Sequence, residues 1–215
     1  MKKVISLLLV LVMVLSLAAC AGGNAKTEAE TGYDVVKVDA ENKSISFKAQ
    51  VNGKYFSDPT RHGVVFKDGK NGEKSILRGL ASEKDVYACL LGLGGKPGDN
   101  VPMPAPDGTI VEGSKVNITV SWEGSNGEIP FGDIVKTGNG KPYVMDARFG
   151  GNVQRACTVF TGCIFCLDSC PVGITSNAAY GFGVVENTKT EQFYGNPDVL
   201  PADGTIVTVT MTLAE

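Results

Sequence analysis

One histidine and one tryptophan stand among 215 residues, and aromatic side chains make up only 7% of the chain. A single imidazole argues against the hydrolytic metal centres and acid/base relays that use two or three. Basic charge is also scarce: 20 Lys and Arg against 23 Asp and Glu give a formal charge of −3. Lys2 and Lys3 fall in a leader, so the remainder is more acidic still. Such a chain has little with which to hold a phosphate backbone, and nucleic acid is not an expected partner. There is no G-x-S-x-G, no H-E-x-x-H and no P-loop, and Gly92-x-Gly94 lacks the third glycine of a dinucleotide fingerprint. Hydrolase and nucleotide-enzyme readings therefore have no support, and a catalytic role is not expected. What is plentiful is apolar side chain, 43%, together with 27 glycines. That composition suits one folded domain with many turns and argues against a disordered chain.

The N-terminus reads as an address. Met1-Lys2-Lys3 is a short positive region, and Val4 to Leu17 is an apolar run too short for a comfortable membrane span. The run closes in Leu17-Ala18-Ala19-Cys20, which resembles the lipobox of bacterial lipoproteins. Residues 1–19 are then a signal peptide and Cys20 is the lipid attachment site. A diacyl anchor supplies two chains, enough for stable attachment where one is marginal. Residues 20–32 (CAGGNAKTEAETG) are small and polar, as a tether should be. The predicted location is the cell envelope, on the outer face of the cytoplasmic membrane or on an outer membrane, with the membrane as partner.

Residues 33–215 carry the fold. Ser44 to Val51 alternates, with Ile45, Phe47, Ala49 and Val51 on one side, and pairs with Val35 to Val38 in an opening hairpin. Gly63 to Phe66 and Ser75 to Leu77 flank Asp68-Gly69-Lys70-Asn71-Gly72 and predict a second hairpin. Ser82 and Asp85 set a cap before Val86, Leu90 and Leu93, which recur at helical spacing. Lys115 to Trp122 and Val207 to Leu213 alternate again. The expected class is α+β: a mainly antiparallel sheet with one well-defined helix packed on it.

Cys157, Cys163, Cys166 and Cys170 follow a C-x5-C-x2-C-x3-C-P pattern in segment 157–171. The C-x2-C pair brings two sulfurs within reach of one metal, and the C-x3-C-P tail looks like the end of a bacterial ferredoxin motif, whose first spacing should be two and not five. Four readings stay open. Disulfides stapling a binding or structural module come first, because exported domains fold where thiols oxidise. A four-iron four-sulfur (4Fe-4S) cluster serving electron transfer is the second. A zinc or other thiolate-bound metal is the third, since four sulfurs meet a tetrahedral demand. A redox-active C-x2-C pair is the last. Cys89, on the apolar face of the helix, reads as a small buried hydrophobe.

His62 precedes an apolar strand and is the first non-thiol ligand to consider if a metal is held. Arg148, close to the cysteines in sequence, suits a salt bridge or an anion. Ser176-Asn177 suits the capping of a turn. The stretch from Arg61-His62-Gly63-Val64-Val65-Phe66 to Gly94-Gly95-Lys96-Pro97-Gly98, with Ser121-Trp122 and Arg148-Phe149-Gly150-Gly151-Asn152, resembles the YdjY domain family of exported bacterial proteins. The resemblance covers most of 33–215. It implies a single globular extracytoplasmic domain and brings no activity with it.

Overall fold

A computed structural model describes residues 34–214. The leader, the tether and Cys20 lie outside the described residues. Twelve strands are formed: β1 (Lys37–Asp39), β2 (Ser44–Val51), β3 (His62–Phe66), β4 (Ser75–Gly79), β5 (Val116–Ser121), β6 (Ile129–Pro130), β7 (Val135–Thr137), β8 (Ala147–Arg148), β9 (Cys163–Cys166), β10 (Thr175–Asn177), β11 (Phe193–Gly195) and β12 (Ile206–Leu213). Among the described residues two α-helices accompany them, α1 (Glu83–Gly92) and α2 (Val153–Val159).

Ten strands form one sheet in the order β6-β5-β12-β2-β4-β3-β9-β10-β8, with β1 also paired to β2, and β7 and β11 make a separate pair. The sheet is mixed, since β3 runs parallel to β4 and β9 parallel to β10. It curls into a half-barrel in a mostly β molecule. The α+β expectation is therefore corrected. The helices are ten and seven residues long, too short to cover a sheet, and buried aromatic side chains from both strands and connecting segments fill the interior. Phe131, Phe149, Phe165 and Phe193 are fully buried, and Phe131 meets Phe165 edge-on at 5.0 Å.

The alternating segments behave as their pattern requires. On β2, Ile45, Phe47, Ala49 and Val51 are buried while the intervening residues are half-buried. β12 lies between β2 and β5, antiparallel to both, so Val207, Val209 and Met211 join the same core. β1 and β2 form the predicted hairpin. α1 is capped as read, with Ser82 Oγ accepting from the Asp85 N–H at 3.2 Å, and Val86 and Leu90 are buried.

The second predicted hairpin does not form. β3 and β4 are parallel neighbours, in register His62 to Ser75 and Phe66 to Gly79, joined by residues 67–74. A parallel return this short needs a tight fold-back. Gly72 supplies it, because a Cβ there would stand 2.0 Å from the Lys67 carbonyl oxygen. Turn composition announces that the chain reverses; it does not say whether the second strand continues antiparallel or loops back to run alongside.

The two faces of β3 and β9 go to different places. Val64, Ile164 and Phe165 enter the main core, whereas Val65, Cys163, Cys166, Cys170 and Val172 form a second, smaller buried cluster. Alternation puts Val64 and Val65 on opposite sides of β3, so this cluster sits across the sheet from the main interior.

Candidate functional site

Strict alternation would send Cys163 and Cys166 to opposite faces of β9, three residues apart. Two register irregularities prevent this. β9 pairs with β3 as Cys166 to His62, Phe165 to Val64 and Cys163 to Val65, so one residue is skipped on each strand. Bulges re-aim side chains in this way. The result places both sulfurs of the C-x2-C pair beside the imidazole of His62. One atom each from His62, Cys163 and Cys166 lie within 4.8 Å of one another, and His62 Nδ1 stands 3.7 Å from Cys163 Sγ. Gly63 makes the close approach of the two strands possible: a Cβ there would come 2.6 Å from Phe165 Cδ1.

Cys163 and Cys166 are fully buried, Cys170 is 2% exposed and His62 is half-buried. Hydrogen bonding from the Cys166 thiol, helped by His62 and opposed by burial, holds the Cys163 thiol well below its ordinary range. Cys166 moves the other way, pushed up by its hydrogen bonds with Cys163 and Cys170 and by burial. Cys163 is thus the more acidic thiol of the pair, and Cys170 shares their buried cluster. Each described cysteine is free and none lies at bonding distance from another, so the disulfide staple expected first is not present among the described residues.

Cys157 is exposed on α2 and stands outside the metal-competent group. Arg148 is bound in an ion pair with Asp146 at 2.9 Å on the sheet edge formed by β8. Cys89 is half-buried on α1 against the main core, and burial raises its thiol. Of the residues singled out in the sequence, the fold therefore joins His62, Cys163, Cys166 and Cys170.

The surroundings include residues that no motif announced. Asp168, between Cys166 and Cys170, is fully buried and accepts from Arg61 Nε at 2.9 Å and Nη2 at 2.8 Å. Arg61 Nη2 also donates to the Ser169 carbonyl, and Nη1 reaches the exposed Glu186 at 3.2 Å. Burial pushes Asp168 up to about 6 against the pull of Arg61. Burial opposes the guanidinium charge as well, but Asp168 and the neighbouring thiols raise the Arg61 pKa overall. A charged pair placed among cysteines was legible only as adjacency, Arg61 beside His62 and Asp168 beside Cys166.

The loop after β9 is held by backbone contacts. Asn152 Nδ2 donates to the carbonyls of Cys170 at 3.2 Å and Gly173 at 3.1 Å. Arg155 donates to the Pro171 carbonyl at 2.8 Å and the Val101 carbonyl at 2.6 Å. The Ser169 hydroxyl accepts from the Val111 N–H at 3.0 Å. Gly173 leaves space for Cys166 Sγ, which would lie 3.2 Å from a Cβ at that position. These contacts tie α2 and residues 99–111 across the cysteine face.

A cavity of about 620 Å³ opens beside this group. His62 and Cys170 form part of its wall, with Arg61, Phe182, Met103 and Lys74. Its size falls within the small-molecule range.

The donor set can be tested against the candidate metals. A tetrahedral zinc with bonds near 2.3 Å to sulfur and 2.0–2.1 Å to nitrogen separates its donors by about 3.6–3.8 Å. The 3.7 Å between His62 Nδ1 and Cys163 Sγ fits that spacing. A 4Fe-4S cluster binds each thiolate to a different iron and so spreads its ligands further apart than one ion does.

The YdjY domain model matches residues 36–212. The chain is 47% identical over 180 residues to the uncharacterized protein YdjY of Escherichia coli (strain K12), a match covering 84% of this chain and 79% of that protein. No solved structure matches. On both the family model and the identity to that relative, the chain belongs to the YdjY domain family.

Proposed function

We propose that this protein binds a single transition-metal ion through His62, Cys163 and Cys166, with Cys170 at the cavity wall as the further donor. The observation that carries the reading is the convergence of one imidazole and two thiols within 4.8 Å across two strands. A thiolate-poised Cys163 supports it, because a metal takes the deprotonated sulfur. Burial supports it too, since a dry shell protects thiolates from oxidation and strengthens their bonds to an ion. Soft and borderline ions, among them Zn(II) and Cu(I), are the class such donors select. A 4Fe-4S cluster is the less favoured occupant, with Cys157 exposed and the other sulfurs close together.

The N-terminal run supports placing this site in the cell envelope, tethered through lipid on Cys20. Labelled palmitate incorporated by the wild type and not by Cys20→Ala checks the tether.

The metal itself is tested on the full chain purified without oxygen. The expected result is one ion per chain by elemental analysis and a thiolate-to-metal charge-transfer band on Co(II) substitution. Both are lost in Cys163→Ser/Cys166→Ser and kept in Cys157→Ser. Protein that binds none of Co(II), Zn(II) and Cu(I) overturns the reading. Four irons with acid-labile sulfide replace it by the cluster.

A further inference from the structure

The described sulfurs near the site are graded in exposure. Met103 is 55% exposed and lines the 620 Å³ cavity. Cys170 lines the same cavity at 2% exposure. Cys170 shares one buried cluster with Cys163 and Cys166, and both inner residues are fully buried. His62 joins the cavity wall to the inner pair through its 3.7 Å approach to Cys163. The cavity wall therefore carries a methionine, a cysteine and the histidine, with the thiols of Cys163 and Cys166 buried behind it.

We infer that this succession is an entry path for Cu(I), taken up at Met103 and passed through Cys170 to Cys163, Cys166 and His62; the inference rests on the metal-binding reading above.

Two features select the cargo. A thioether is a poor donor to Zn(II), Mg(II) or Ca(II) and a good one to Cu(I), so a methionine at the mouth discriminates among ions before the buried donors do. Cu(I) also accepts low coordination numbers, which suits a hand-over between neighbouring sulfurs. The ion remains Cu(I) throughout, and no electron is exchanged. Charge balances through protons: Cys170 gives up its thiol proton to cavity water when it takes the ion and regains one when it passes the ion on. Cys166 loses its own proton on final binding. Cys163 likewise binds as the thiolate, and any thiol proton it carries goes to the same water.

The test follows Cu(I) transfer from its bicinchoninate complex to the full chain by stopped flow in anaerobic buffer, beside Zn(II) uptake followed with a zinc indicator. Met103→Leu, which keeps the side-chain volume, is expected to slow Cu(I) uptake by about tenfold, at the low end of what supporting ligands contribute to metal sites. Zn(II) uptake by the same variant should stay unchanged. Cys157→Ser removes an exposed sulfur elsewhere and should leave the Cu(I) rate at the wild-type value. Cu(I) uptake by Met103→Leu at the wild-type rate overturns the path, as does equal slowing of both metals, which would mark Met103 as a steric gate. A wild type that binds Zn(II) but takes no Cu(I) sinks the inference and leaves the metal site standing. A wild type that binds neither sinks both.

Discussion

Replacing Arg61 by methionine removes a charge that the fold has placed beside the buried Asp168. The stem keeps most of its packing, so the loss is electrostatic. Two hydrogen bonds of 2.9 and 2.8 Å to Asp168 Oδ1 and one to the Ser169 carbonyl disappear, and a carboxylate with no exposure is left without its cation. Breaking a buried pair from one side costs about 3–5 kcal/mol. The 60% exposed Glu186 side chain makes the other ion pair of Arg61, and Glu186→Gln should cost about 1 kcal/mol or less. Removing both charges in Arg61→Met/Asp168→Leu should recover most of the loss, to within about 2 kcal/mol of the wild type, because an apolar replacement leaves nothing unpaired. pH separates this account from a packing defect. Asp168 is already pushed up to about 6 by burial, and losing Arg61 raises it further, while the unfolded chain ionises near 3.9. A folded-state value above the unfolded one means that the native state holds the proton longer. The penalty in Arg61→Met is therefore smallest near pH 4 and grows as pH rises through 6. Urea denaturation of the four proteins at pH 5 and 7.5 reads these differences. A cost below about 1 kcal/mol at pH 7.5 for Arg61→Met, or a cost equal at the two pH values, refutes the reasoning.

Gly63→Ala drives a Cβ to 2.6 Å from the Phe165 ring, and overpacking of this kind costs about 1–3 kcal/mol, lowering Tm by roughly 2–12 °C in a domain of this size. Thermal denaturation gives that figure, and Co(II) titration of the same variant should show weakened binding as the bulged pairing of β3 with β9 shifts. Ser82→Ala removes the N-cap of α1 and should cost about 1 kcal/mol in chemical denaturation, with the metal stoichiometry unmoved. In native protein without added metal, iodoacetamide should modify Cys157 first and Cys163, Cys166 and Cys170 only on unfolding; peptide mass spectrometry with time resolves the order, and prompt labelling of Cys166 contradicts its burial.

Much of the frame was legible from local pattern. Alternation in Ser44 to Val51 and in Val207 to Leu213 marks half-buried strands, because a side-chain period of two can satisfy only one wet and one dry face. Ser82 with Asp85 marks the start of α1 through a hydrogen bond confined to one turn. Between Trp122 and Val207 the signal fades. β6, β8, β10 and β11 are two or three residues long, too short for a period to register, and that region turned an expected helix-on-sheet domain into a curled mixed sheet. Ser176 and Asn177 suit a turn by composition, yet they lie fully buried on β10, where Asn177 Nδ2 donates to the Tyr143 hydroxyl at 2.8 Å.

By itself, the sequence determined which residue types could take part in metal chemistry: a C-x2-C pair, a third cysteine and one histidine 101 positions from Cys163. Spacing restricts how far apart two sulfurs can be, but it says nothing about a partner on another strand. Tertiary structure decided the membership of the site. Paired irregularities between β3 and β9 turned Cys163 and Cys166 to the same face and set His62 against them, while α2 carried Cys157 to solvent. It also brought the sulfurs to an imidazole, with none at bonding distance from another among the described residues. Strand register and bulges are settled by packing of the whole sheet, and no local run of residues encodes them.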